Sequence, residues 1–243
     1  MSNRLKFFLS HLSISILIAL FVMGLVFFIW YPAPLAKAVG VTQIFLMMLA
    51  IDVIVGPLLG LLVYKQGKKS LKFDLTVIIA IQISALLYGI YSIEQGRPAW
   101  LAYNLDRFEL VRKNEIVDQN INQAKPKFQQ VSWFKPQYVA VNFAKDIQQR
   151  NKDMFAEALG GISLAQRPER YVHFAEAKAQ LQKRAQSLEL LPQYNDKTVV
   201  EKTLAKYPKA TAFLPMKASA VDMTVLINHK GEVVKIVDLR PWQ

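Results

Sequence analysis

The sequence predicts a membrane protein: three transmembrane α-helices followed by a periplasmic α+β domain. Three observations lead there. Apolar runs of spanning length are confined to the first 93 of 243 residues, a lysine cluster separates two of them, and the remainder carries mixed strand and helix patterns. The expected division is a transmembrane domain over residues 1–93, with helices at about 12–31, 41–63 and 75–91, and a soluble domain over residues 94–243. The 53% hydrophobic content is accordingly uneven, and the last 150 residues are enough to bury a core of their own.

The first run, Leu12 to Tyr31, follows Arg4, Lys6 and His11 and has spanning length. It exits through Trp30 and Tyr31, rings suited to headgroup depth, and Pro32 and Pro34 stop the helix. Ala36-Lys37-Ala38 has the small-x-small form of a signal peptidase site, so removal of the first helix is an alternative to its retention. The second run, Val41 to Val63, reaches about 34 Å as a helix, with Gln43 and Asp52 as its strongly polar residues. Lys65, Lys68, Lys69 and Lys72 follow and mark the cytoplasmic side. The third run, Leu75 to Tyr91, returns the chain outward, with Tyr88 and Tyr91 near its end. The expected location is the inner membrane, amino terminus in the cytoplasm and residues 94–243 in the periplasm.

In the soluble part, Trp100 to Val111 predicts two short strands around Leu105-Asp106, and Gln137 to Phe143 another. The polar segment Asn114 to Ala124 is expected to be helical, and a helix begun near Asp146 should break at Gly160-Gly161. Tyr171, Phe174, Ala177, Leu181, Ala185 and Leu188 recur at spacings of three and four, which predicts one amphipathic helix from Pro168. A shorter helix is expected near Asp196 to Lys206. Val221 to Ile227, the turn residues Asn228-His229-Lys230-Gly231, and Glu232 to Leu239 predict a terminal hairpin.

Charge and composition narrow the function. Seven of the 30 Lys and Arg and two of the 18 Asp and Glu precede residue 94, a balance of +5 there and +7 after it. No arginine-rich run or aromatic nucleic-acid module accompanies this charge, so no nucleic-acid partner is expected and the lipid bilayer is. The absence of cysteine excludes disulfides, thiolate metal sites and cysteine catalysis. His11, His173 and His229 lack metal-ligand spacing, and no nucleophile elbow or phosphate loop is present. Neither metal, cofactor nor enzymatic activity is expected.

One surface stands out. Asp52, Gly56 and Gly60 recur every fourth residue, so a carboxyl and two glycines share a helical face. A carboxylate at mid-membrane costs about 2.5–3.5 kcal/mol on insertion scales and is often functional. Gln82 and Ser84 of the third run are candidate donors to Asp52, as are Ser13 and Ser15 of the first. Asp52, Gly56, Gly60 and Gln82 are therefore the candidate helix-contact residues, for internal packing or for recognition of another transmembrane helix. An intramembrane aspartyl protease would need Asp74 as the second carboxylate, 22 residues away at the mouth of the third helix.

Arg-Leu-Lys-Phe-Phe-Leu-Ser-His-Leu from Arg4, Trp30-Tyr31-Pro32, Ile51 to Leu59, Gly96-Arg97-Pro98, Asp106-Arg107-Phe108-Glu109 and the closing Asp238-Leu239-Arg240-Pro241-Trp242 together resemble the TfpX/TfpZ family of type IV pilin accessory proteins. The resemblance covers nearly the full chain. It implies an inner-membrane, chaperone-like accessory factor for the major type IV pilin, with the pilus assembly machinery as a further partner. It supplies no catalytic residues. A membrane-anchored sensor or transducer is the alternative, although the cytoplasmic loop Tyr64 to Asp74, 11 residues, is too short for an output domain.

Overall fold

Ser2 opens the first helix by accepting the Leu5 N–H on its hydroxyl at 3.3 Å. A computed structural model of the chain describes residues 1–143 and 146–242; Gln243, the end of the expected soluble domain, lies outside the described residues. Helix α1 (Asn3–Gly24) runs on into a π-helical segment, Leu25–Trp30, closed by Tyr31 N–H donating to the Val26 carbonyl at 2.7 Å. A one-turn helix, α2 (Leu35–Ala38), precedes α3 (Val41–Val63) and α4 (Leu71–Gln95). The three long helices are apolar enough to cross a bilayer, and α3 packs against both others. The outer two exceed the lengths expected, because the polar stretch with Arg4 and Lys6 joins the start of α1, while Leu71 to Asp74 and Ser92 to Gln95 extend α4 at its two ends.

The rest of the chain builds one mixed sheet. Its strands are β1 (Pro98–Asn104), β2 (Arg107–Arg112), β3 (Gln137–Val141), β4 (Tyr171–His173), β5 (Gln186–Ser187), β6 (Ala212–Lys217), β7 (Met223–Ile227) and β8 (Val233–Val237). Helices α5 (Ile147–Gly160), α6 (Lys178–Arg184) and α7 (Lys197–Leu204) interrupt them. The order is β4-β3-β1-β2-β6-β7-β8, with β5 paired to β6; β1–β3 and β2–β6 are parallel and the other pairs antiparallel.

Strand alternation separates two cores. Leu101, Tyr103, Phe108, Leu110, Leu214, Met216 and Val225 face α6 through Leu181, and Leu35 and Ala38 of α2 are buried in the same cluster. On the other face Trp100, Ala102, Val111 and Val139 lie under Phe128 and Tyr171, while Phe213, Leu226 and Val237 lie under Leu191 and Val200. The link between the first two transmembrane helices is thus part of the soluble core, which the sequence division at residue 94 did not anticipate.

Two sequence expectations need correction, and one strand lies where none was expected. Asn114 to Ala124 forms 3-10 turns at Lys113–Glu115 and Ile121–Gln123 instead of a helix. Val117, Ile121 and Ala124 have helical spacing, but the Val117 N–H is given to the Gln166 carbonyl at 2.9 Å, Ile116 and Ile121 reach the Trp100 face separately, and the Glu115 carboxylate turns back onto the Arg112 N–H at 2.8 Å. The stretch from Pro168 is not one helix but β4, a 3-10 turn at Phe174–Ala177, α6, β5 and a second 3-10 segment, Leu188–Gln193. Pairing of Tyr171 with Val141 and of Gln186 with Phe213 satisfies backbone groups that a surface helix would have kept to itself. Strand β6 was not among the expected elements, and its Pro215 is unusual for a central strand. It is tolerated because β5 pairs with residues 212–213 and β2 with residues 216–217, so Pro215 lies between the two ladders. The hairpin around Leu105-Asp106, the helix ending at Gly160, the helix capped by Asp196 and the terminal hairpin all form.

Candidate functional site

Asp52 sits at the midpoint of α3, and the polar groups around it converge on Gln82 of α4. The Gln82 amide donates to Ser15 Oγ of α1 at 3.1 Å and to the Asp52 backbone carbonyl at 3.0 Å, while its Oε1 lies 2.9 Å from His11 Nε2. One side chain therefore ties three helices together. Both amide hydrogens are directed at these two acceptors, and the Asp52 carboxyl also lies beside the Gln82 amide. Ser84 donates to Ala80 within its own helix, and Ser13 is exposed.

The glycines have separate tasks. A Cβ at Gly56 would run into the Gln82 amide, and one at Gly60 would stand 2.9 Å from Phe7 Cε1. Gly56 makes room for the polar bridge, and Gly60 lets α1 approach α3. Gly89 plays the same part on α4, where a Cβ would meet the Met48 sulfur. Reasoning from the sequence named Ser15, but as a partner of the Asp52 carboxyl rather than of Gln82; it missed His11 and Gly89, and the spacing of His11 and Ser15, one helical turn apart, was the available signal for the former.

The half-buried Asp52 lines two adjoining hollows of about 160 and 300 Å³ along the α3–α4 seam. Ile51, Val55 and Leu59 form one wall, and Ile78, Ile81 and Ala85 the other. Asp74 is not brought to this place. It pairs with Lys68 at 2.6 Å in the first turn of α4, eight residues and so about 12 Å along the helix from Gln82. The carboxylate pair of an aspartyl protease does not assemble.

A second set of contacts fixes the soluble part on the helices. Tyr31 donates to the Ile93 carbonyl at 2.6 Å, and burial pushes its phenol well above the usual range, so the group remains a donor. Glu94 accepts from Arg97 at 3.1 Å and from Lys113 at 2.7 and 2.8 Å; Arg97 is only 1% exposed. The Ala38 carbonyl accepts from the Ala220 and Val221 N–H groups, and Lys37 pairs with Asp238 at 2.6 Å.

The segments at the two ends of the soluble part meet as well. Arg107 lies 5.1 Å from the Trp242 ring centre, and the Trp242 indole donates to Asp222 at 2.7 Å. Arg107 beside Asp106 holds that carboxyl below the usual range. Away from this cluster, α5 is fastened by its polar side. Asp153, 3% exposed, accepts from Arg167 at 3.0 Å and from Arg170 at 2.7 Å, which leaves Ile147, Met154, Phe155 and Leu159 facing outward. Among the described residues no group of three or more His, Cys, Asp or Glu could hold a metal ion.

Three spanning helices bearing an α+β domain, with a polar bridge in the bilayer and no gap between the two parts, define a membrane-anchored protein of one continuous architecture. Residues 1–40 match the family model described as fimbrial assembly protein FimB. The fimbrial assembly proteins of serogroups E1 and I of Dichelobacter nodosus are each 30% identical over 96% of this chain and 94% of their own length. That of serogroups C1 and C2 is 36% identical over 47% of this chain and 88% of its own. The chain belongs to the fimbrial assembly protein family. No solved structure matches it.

Proposed function

We propose that the protein is an inner-membrane, non-catalytic accessory factor for type IV pili, of the TfpX/TfpZ kind, which binds its cognate major pilin directly and supports its stability, assembly or dynamics. The observation that carries this is the Asp52 carboxyl lining an apolar seam between α3 and α4, with Gln82 divided among several acceptors. A carboxyl kept at such a depth suits a second helix that brings a donor. Membership of a fimbrial assembly family supports a pilin as that helix. Asp52 and Gln82 then act together: Gln82 fixes the bundle, and Asp52 faces the guest.

The soluble part, on the periplasmic side in this reading, supplies selectivity through shape and its +7 balance, with the outward apolar side of α5 as one contact. Two weak contacts on one scaffold raise the effective concentration of the second. A sensor role gains nothing comparable, because the loop between α3 and α4 remains short and lacks a domain.

The test is exchange between relatives that serve different pilins. Residues 31–40 must move together with 94–243, since Leu35 and Ala38 belong to the soluble core. That exchange should switch which pilin co-purifies in detergent; exchange of the membrane helices alone should switch little. Pilin capture indifferent to both exchanges would defeat direct contact.

A further inference from the structure

Trp133 and Phe134, between β2 and β3, are 65% and 67% exposed, although they belong to the soluble part. Their backbone is held at the membrane boundary. The indole of Trp30, the last residue of the first spanning segment, donates to the Trp133 carbonyl at 3.1 Å, and the two rings lie 5.9 Å apart. Arg97, two residues beyond α4, reaches the Phe134 carbonyl at 3.5 Å. The Phe134 N–H donates to Ser132 Oγ at 3.2 Å, a tight bend that turns both rings outward, and exposed Lys135 follows.

These contacts set the depth of the loop. Phe28, near the end of the same segment, is 77% exposed and lies within the spanning stretch; Tyr88 and Tyr91 are exposed at the corresponding end of α4. Trp133 and Phe134 complete a belt of rings at the level where the helices leave the bilayer. A lysine beside interfacial aromatics is placed to meet lipid phosphate.

We infer that the Trp133–Lys135 loop is a lipid-binding foot of the soluble domain. Its rings lie in the interfacial layer of the leaflet where α1 ends, and Lys135 faces the phosphate of an anionic lipid. Lipid is the occupant because the loop continues the boundary that Trp30 marks. The foot is independent of pilin contact. It supplies a third support for the domain, beside the α2 insertion and the Glu94 cluster.

The chain has no cysteine, so single labels are clean. Phe134→Cys and, separately, Trp133→Cys would carry a nitroxide in full-length protein in nanodiscs, with Phe28→Cys as membrane reference and Phe155→Cys as aqueous reference. The expected result is an oxygen-over-nickel accessibility ratio at 133 and 134 several-fold above that at 155 and below that at 28. A ratio equal to that at 155 would refute the foot, and so would poor access to both reagents, which means a protein cover. In discs of phosphatidylcholine the ratio at 134 should fall relative to discs containing phosphatidylglycerol, and Lys135→Gln should abolish that difference. A ratio indifferent to lipid charge would remove the anionic part of the assignment.

Discussion

Asp153 and Asp52 are both withdrawn from water, and the molecule treats them in opposite ways. In the soluble part, Asp153 receives Arg167, Arg170 and the Gln149 amide, so its charge is matched on the spot and α5 is pinned. In the membrane, Asp52 has a glutamine beside it whose hydrogens serve Ser15 and a backbone carbonyl. A paired acid holds its own fold together, whereas an acid kept in an apolar seam without that pairing is available to something that arrives. The glycines support the same distinction. Gly56 and Gly60 are consumed by contacts within the bundle, whereas Asp52 lines the apolar hollows beside them.

The sharpest break of this contrast is Asp153→Ala. It strands two largely buried guanidinium groups and should cost about 3 kcal/mol or somewhat more, seen as a lower unfolding midpoint of the purified protein and faster proteolysis within α5. Unchanged stability would mean that the arginines find other partners and that the pair is ornamental. Asp52→Leu should do the reverse. It removes a group that costs about 2.5–3.5 kcal/mol at mid-membrane, so the protein should insert and accumulate at least as well, yet capture less pilin. Asp52→Asn, which keeps hydrogen bonding, should retain most capture. If Asp52→Leu instead lowers protein abundance in step with capture, Asp52 is structural and the comparison fails.

Gln82→Leu sharpens the internal side of the comparison. It deletes contacts to His11, Ser15 and the Asp52 carbonyl at about 0.6 kcal/mol each, roughly 2 kcal/mol in all. Bundle resistance to denaturing detergent should fall between that of wild type and that of Gly56→Leu, which drives a side chain into the same space. Smallest of all is Lys37→Ala. Its pair with Asp238 is half exposed and is worth about 0.2–1 kcal/mol, so thermal stability should barely move while the α2 insertion holds. A large loss would show that the Lys37 pair, rather than Leu35 and Ala38, locks the link into the soluble core.

The sequence by itself determined the elements whose physics is local. Spanning length and apolarity placed the three helices, with α3 as expected from Val41 to Val63, because a bilayer demands an uninterrupted apolar run. Turn and cap residues placed the hairpin after Asn228 and the helices that begin at Asp146 and Asp196. It also put Asp52, Gly56 and Gly60 on one helical face, which follows from period alone. Only the tertiary structure decided what that face touches. Whether Gln82 donates to the Asp52 carboxyl or to its backbone depends on how α4 is rotated against α3, and no spacing along one helix encodes that rotation. The same holds for His11, which joined the cluster through a third helix. In the soluble part, spacings of three and four from Tyr171 to Leu188 fit a helix, until long-range pairing to β3 and β6 claimed both ends of the stretch. Strand β6, which the sequence reading left out, accommodates Pro215 because β2 and β5 divide the neighbouring edge on either side of it. The insertion of Leu35 and Ala38 into the soluble core was likewise hidden, because a short apolar link beside a membrane span reads as part of the membrane until the sheet that receives it exists.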